Sequence, residues 1–253
     1  MLIAHFVFWE ILKAIALIFL ALLSIKIISA LRIPASRRPR MIRGTLYAVV
    51  VILVVAGARV LGYDTAAEVY YRTAQSDLAQ RKIELAYSNA LRAVELRPAD
   101  VRYWQTLVQA KIAGRQFRSA LEDEAALRAL SGGQLDPDEE ARFVTCRYFL
   151  GQYGEVVRIT GQMIQQNRLY PLAYVLQGLA YTALKNYPAA EATFLKVLGL
   201  FPTQTDAVAG LAQSYFLAGD TSRALAVLDA TRHYDFAAPA RKRIDELKAF
   251  YAQ

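Results

Sequence analysis

The chain has 253 residues, a hydrophobic fraction of 55%, a formal net charge of +8 and a positive mean hydropathy of +0.22, a balance that points to membrane segments in addition to a soluble part. Residues 1–63 carry eight basic side chains against one acid, Glu10, a net of +7; residues 64–253 carry 22 basic and 21 acidic ones, a net of +1. The basic excess thus accompanies apolar segments, which excludes a nucleic-acid footprint on the larger part.

The first apolar stretch, residues 11–31, is long enough to cross a bilayer as a helix. The second, residues 45–63, is almost unbroken Val, Ile, Leu and Ala at its centre, and its length favours a spanning helix over a strand. A cleaved signal peptide does not fit the first stretch, because the basic leader and the small-residue cleavage site are missing and the apolar run is too long. Between the spans lie Arg32, Arg37, Arg38, Arg40 and Arg43. Five arginines in so short a loop favour the cytoplasmic side, which places the N-terminus and everything after the second span outside, in a bacterium the periplasm. Glu10 and Lys13 share a helix face near the outer interface, where they either pair with each other or dock against another membrane subunit. Phe8 and Trp9 suit the headgroup level, and Lys26 and Arg59 are near enough to helix ends to snorkel.

Beyond residue 63 the pattern becomes a repeat. Thr65 and Glu68 have the spacing of a capping box opening the first helix. The clearest unit runs from Pro171 through Tyr174, Gly178, Tyr181, Tyr187, Ala190 and Phe194 to Pro202. Five units fit, beginning near Ala67, Val101, Pro137, Pro171 and Thr205. A large residue early in the first helix recurs as Tyr70, Trp104, Tyr174 and Val208. A small one in the second helix recurs as Ala86, Ala120, Ala190 and Ala224, with Val156 departing. Phe117, Tyr153 and Tyr187 are aromatic near the start of the second helix, where the first and last units have Ile83 and Thr221. Pro98 and Pro202 end second helices. Around Ser131-Gly132-Gly133 about two extra residues are inserted. The last stretch predicts a capping helix with Ile244, Leu247, Phe250 and Tyr251 facing inward.

The period of about thirty-four residues and these positions resemble the tetratricopeptide repeat family over residues 67–238. Together with the two N-terminal transmembrane helices read above (domain 1–63), the resemblance implies an all-α fold that continues as a solenoid of about five helix pairs and a capping helix (domain 64–253). It also implies that ligands lie in a groove lined by first helices. By register that groove displays Tyr71, Gln75, Arg102, Gln105, Gln109, Thr145, Tyr148 and Gln213, with Leu179 and Phe216 as apolar patches. Such a mixed surface suits an extended peptide or a partner helix. The lysine and asparagine set with which some members hold a C-terminal carboxylate is missing.

The sequence offers no catalytic constellation. His5 and His233 are far from each other and from Cys146, so no metal-ligand spacing or two-cysteine motif appears. No glycine-rich phosphate loop is found. Cys146 falls inside a repeat helix and reads as a buried apolar residue. The acidic runs at Glu122–Glu124 and Asp136–Glu140 read as exposed helix faces or helix starts. No cofactor is expected. The expectation is a non-enzymatic, membrane-anchored scaffold that binds protein partners and helps assemble or hold a membrane-associated complex. In layout alone it is similar to the repeat-bearing anchors of cytochrome c maturation and of exopolysaccharide export. The alternative is a permanent accessory subunit of a multi-subunit membrane enzyme or transporter.

Overall fold

A computed structural model describes Gly62 and residues 65–252. Apart from Gly62 the two expected spans, with Glu10, Lys13 and the five loop arginines, lie outside the described residues. Among the described residues no helix is long and apolar enough to cross a membrane.

Helix follows helix, with no strand among the described residues. The first pair is α1 (residues 65–79) and α2 (Ile83–Leu96); α3 (Val101–Ala113) is followed by α4 (Phe117–Glu122) and α5 (Glu124–Leu130). Then come α6 (Pro137–Phe149) with α7 (Tyr153–Gln166), α8 (Pro171–Ala183) with α9 (Tyr187–Leu200), and α10 (Thr205–Leu217) with α11 (Thr221–Ala230). A 3₁₀ turn (Thr231–His233) leads to α12 (Ala238–Tyr251). Four of the five expected unit starts fall on the first residue of a helix, and all five second helices begin at the expected Ile83, Phe117, Tyr153, Tyr187 and Thr221. The described residues fall into two compact units, divided between Leu107 and Val108.

The turn joining each pair is built the same way five times. Arg81, Arg115, Gly151, Lys185 and Gly219 all have positive φ, between 58° and 86°. The next amide reaches back five residues: Lys82 to Asp77, Gln116 to Lys111, Gln152 to Arg147, Asn186 to Tyr181 and Asp220 to Tyr215, at 2.8–2.9 Å. This left-handed residue with a back-bonded successor satisfies the last carbonyls of the first helix and reverses the chain. Three of the five residues are not glycine, so the turn is held against an intrinsic preference of about 1–2 kcal/mol each.

Packing follows the small-residue position. Ala86, Ala120, Val156, Ala190 and Ala224 are all completely buried, which lets paired helices approach closely. In the first unit Ala67, Ala74, Ala90, Ala93, Val94, Tyr103 and Leu107 form the core. In the second, one cluster runs from Ala141 to Ala180 and a larger one from Tyr174 to Tyr251. The larger cluster centres on Phe194, which is wedged between the backbones of Gly178 and Gly210. Tyr174 and Val208 are buried, and Trp104 is half-buried with its indole N–H donating to the Pro98 carbonyl at 2.7 Å. Gly132 and Gly133, both at positive φ, carry the inserted loop. Asp136 then caps α6 in a capping box with Glu139.

Tyr70 is 38% exposed; it lines a shallow depression with Tyr87 and Leu91, and Tyr103 is the aromatic buried in that unit. Two expectations are corrected. Thr65 and Glu68 do not act as a capping box. Thr65 is itself helical and its hydroxyl donates back to Gly62, while the Glu68 carboxylate receives Arg72 and Tyr103. Phe250 does not face inward: Ile244, Leu247 and Tyr251 share one stripe, and Phe250 is turned about 100° from Tyr251 by the helical period. Asp123 and Glu124 stand at the start of α5, the helix-start alternative of the sequence reading, with side chains each 12% exposed. The second helix of the second repeat breaks at Asp123, whose carboxylate takes the ammonium of Lys111 at 2.5 Å with both side chains nearly buried. Burial raises the Asp123 carboxyl, and Lys111 opposes that rise.

Candidate protein-binding surface

In the first unit the expected groove residues Tyr71, Gln75 and Arg102 come together. Asp100 grips the Arg102 guanidinium through two bonds, Nε to Oδ1 at 3.1 Å and Nη2 to Oδ2 at 2.8 Å. The Arg102 amide donates to the same carboxylate at 3.1 Å. These bonds lower the Asp100 carboxyl below the usual range and hold Arg102 more firmly protonated. So fixed, the guanidinium sits 5.4 Å from the Tyr71 ring and 5.5 Å from the Tyr103 ring, which are 5.1 Å apart. Gln75 donates to the Tyr71 hydroxyl at 2.8 Å. The Tyr103 hydroxyl donates to Glu68 at 3.2 Å, and burial, with the Glu68 charge second, pushes it up to about 12. Gln105 is half-buried nearby in sequence on α3. The result is a charged, aromatic patch with a preset cation at its surface.

In the second unit the expected residues divide. Gln109, with its amide oxygen turned toward Arg142, accepts from both terminal nitrogens of that guanidinium at 3.0 and 3.1 Å. The Thr145 hydroxyl is used within its helix, donating to the Ala141 carbonyl at 2.7 Å. Tyr148 is half-buried, edge-on to Tyr153 at 5.4 Å and to Phe149 at 5.6 Å, and burial raises its hydroxyl. Leu179 packs against the large core, and Gln213 is exposed. Phe216 is stacked on Tyr251 at 4.5 Å, so α12 covers one side of it.

The sequence reading missed a regular feature of this unit. Phe149 is the last residue of α6, Leu184 caps α8, Leu217 is the last residue of α10, and Phe250 is the penultimate residue of α12. They are 59%, 49%, 52% and 60% exposed. An apolar side chain therefore projects at the C-terminal end of each first helix from the third repeat on, and of the capping helix. Phe149 is further stacked on Phe117 at 4.6 Å and 10° between planes, which fixes its ring while leaving it open. The signal available in sequence was the spacing of these residues by about one repeat.

The remaining candidate groups lie apart. Cys146 is completely buried, and burial pushes its thiol up to about 11. His233 is exposed on the 3₁₀ turn. Among the described residues no group of three His, Cys, Asp or Glu side chains could hold a metal ion.

Residues 181–249 match the tetratricopeptide repeat family model. No curated protein matches the chain. Among solved structures, the chain is similar to TTC0263, a thermophilic tetratricopeptide protein of Thermus thermophilus, at 20% identity over 72% of this chain and 98% of that one, with a TM-score of 0.56. It is similar to residues 41 to the end of MamA from Desulfovibrio magneticus RS-1 (16% identity, 73% and 96% covered, TM-score 0.55). It is also similar to PilF of Pseudomonas aeruginosa (18% identity, 75% and 90% covered, TM-score 0.54). The chain therefore carries a tetratricopeptide-repeat fold, a class whose repeats build protein-binding surfaces.

Proposed function

We propose that this chain is a membrane-anchored, non-catalytic scaffold whose repeats hold partner proteins and so assemble or maintain a membrane-associated complex at the extracytoplasmic face of a bacterial inner membrane. The observation that carries the reading is the set of exposed apolar residues, Phe149, Leu184, Leu217 and Phe250, at the C-terminal ends of α6, α8, α10 and α12. Apolar side chains repeated at this regularity fit the apolar stripe of a partner helix. Anchoring is supported by the apolar residues 11–31 and 45–63 and by the five arginines between them. Val69 and Tyr70, exposed on the helix that follows the second apolar stretch, suit a position at the headgroup level. The non-catalytic reading is supported by a thiol buried and raised in Cys146 and by the isolation of His233.

The test is affinity purification of the tagged full-length chain from mild-detergent membranes, with companions identified by mass spectrometry. In the scaffold reading, Phe149→Asp with Leu217→Asp strips the companions while the far-ultraviolet circular dichroism is unchanged. Companions that survive this double variant, yet are lost on Glu10→Gln with Lys13→Gln, point to the other arrangement, a resident accessory subunit held by its membrane helices. That second reading rests on an acid and a base placed at the edge of an apolar segment. Companions indifferent to both pairs of changes refute the proposal.

A further inference from the structure

Away from the first-helix residues assigned to partner binding lies a cleft of about 580 Å³, within the range of ligand sites. Its walls are α5, the inserted loop and one side of α6, facing α7. It exists because the second repeat departs from the pattern: its second helix is broken at Asp123 and is followed by the two-glycine loop. Ile159 and Met163 give it an apolar floor, and Gln134, Gln162, Gln166 and Asn167 contribute amides.

The charged walls are nearly, but not fully, self-satisfied. On one side Arg128 donates to Glu140 at 2.6 and 2.9 Å and to Glu124 at 2.9 and 3.0 Å. Arg147 donates to the other oxygen of Glu124 through Nη2 at 2.7 Å. On the facing helix Arg158 is held by Glu155 and donates to Gln162 at 3.2 Å. Arg147 is the exception. Its side chain is 17% exposed and lines the cleft, while its Nη1 is buried and has no acceptor among the described residues. A buried cationic donor left unpaired costs more than a neutral one and is the group a carboxylate oxygen satisfies best.

We propose that this cleft binds a carboxylate carried on an extended peptide segment, the acid meeting Arg147 and its neighbouring side chains resting on Ile159 and Met163. Three arginines balanced by three glutamates give little pull on a bare anion, whereas amides that both donate and accept match a peptide backbone. The site is thus separate from the apolar row and gives the scaffold a second, acidic-peptide contact.

The test is fluorescence anisotropy of a labelled, end-blocked Ala-Leu-Glu-Leu-Ala peptide with the full-length chain in detergent, beside its Gln counterpart. Saturable binding is expected, weakened about tenfold or more in the Gln peptide and in Arg147→Gln. Gln162→Trp, an exposed position that blocks the cleft and leaves every wall glutamate paired with its arginine, is expected to give the same loss even if Arg147→Gln fails to fold. Equal binding of both peptides, wild-type affinity in Gln162→Trp, or no saturation at millimolar peptide overturns the proposal. Competition by free succinate as strong as that of the unlabelled Glu peptide overturns the peptide part, assigning the site to small carboxylates.

Discussion

Replacing Gly178 by alanine isolates the packing that joins the fourth and fifth repeats. A Cβ built on Gly178 lies 2.6 Å from Cε1 and Cζ of Phe194 and 2.9 Å from Cε2. One on Gly210 lies 2.5 Å from Cζ and 2.7 Å from Cε1 of the same ring. A ring clamped on both sides cannot swing away, so the substitution forces overpacking worth about 1–3 kcal/mol. Against this stands the gain of about 1 kcal/mol from placing alanine in a helix interior. With no free direction for the ring, the clash offsets that gain or exceeds it, and a net loss of up to about 2 kcal/mol is expected from these two terms. The offending atoms, Cε1, Cε2 and Cζ, are absent from leucine. In a Phe194→Leu background Gly178→Ala should therefore change sign and stabilise by about 1 kcal/mol, the propensity gain alone. Urea unfolding of wild type, both single variants and the double variant, followed by circular dichroism, measures the coupling. Additive effects within about 0.5 kcal/mol would mean that the ring is not the obstacle and would sink this account.

Three further outcomes follow from the geometry. Lys185→Gly, at a turn position with φ of 59°, should stabilise by about 0.5–1 kcal/mol in the same urea assay, because relief of left-handed strain exceeds the added freedom of the unfolded chain; a loss of stability would contradict the strain. Cys146 should resist iodoacetamide at pH 8 and react fully in urea, since it is buried and its thiol stays protonated with a pKa of about 11; mass spectrometry of the native protein counts the adduct, and rapid native labelling would refute the burial. Asp100, Asp220, Asp229 and Glu155 have carboxyls lowered by bonds to Arg102, Arg223, Lys248 and Arg158, respectively. Their folded values lie below the unfolded ones, so the stability they add is present above about pH 4 and is lost as pH falls through the folded values. The raised Asp123 works in the opposite sense. Four lowered groups outnumber it, and the urea midpoint at pH 3 should fall below that at pH 6; an equal or higher midpoint would show that burial of Asp123 dominates.

How much of this was legible in the sequence depends on what fixes each feature. The second helices start where expected because a turn ending in a left-handed residue recurs with nearly constant spacing, and the small residues at 86, 120, 190 and 224 are imposed by helix crossing. The break at Asp123 was hidden, because Glu122-Asp-Glu-Ala-Ala-Leu-Arg reads as good helix and the partner of Asp123, Lys111, lies twelve residues away. Tyr103 was passed over for Trp104, its neighbour, although Tyr103, Leu107 and Ala110 form the buried stripe of α3. The apolar row was missed for a related reason: period assigns apolar residues to the interior, but a residue at the very end of a helix has no neighbouring turn to hold it there. In the candidate surface, Tyr71, Gln75 and Arg102 lie on one patch, yet the roles of Asp100 and Glu68 in fixing it are visible only as contacts in the fold.

The Lys111–Asp123 pair also divides the chain's electrostatics by their response to ionic strength. Pairs such as Arg232 with Asp229 and Lys242 with Glu246 have more than half of each side chain in solvent. At about 1 M salt, where the screening length shrinks to about 3 Å, they contribute next to nothing. Lys111 and Asp123 keep only 9% and 12% of their side chains in contact with water, so mobile ions scarcely enter between them. In concentrated salt the Lys111–Asp123 pair at the break in the second repeat therefore persists, while the outer surface behaves as though it were uncharged.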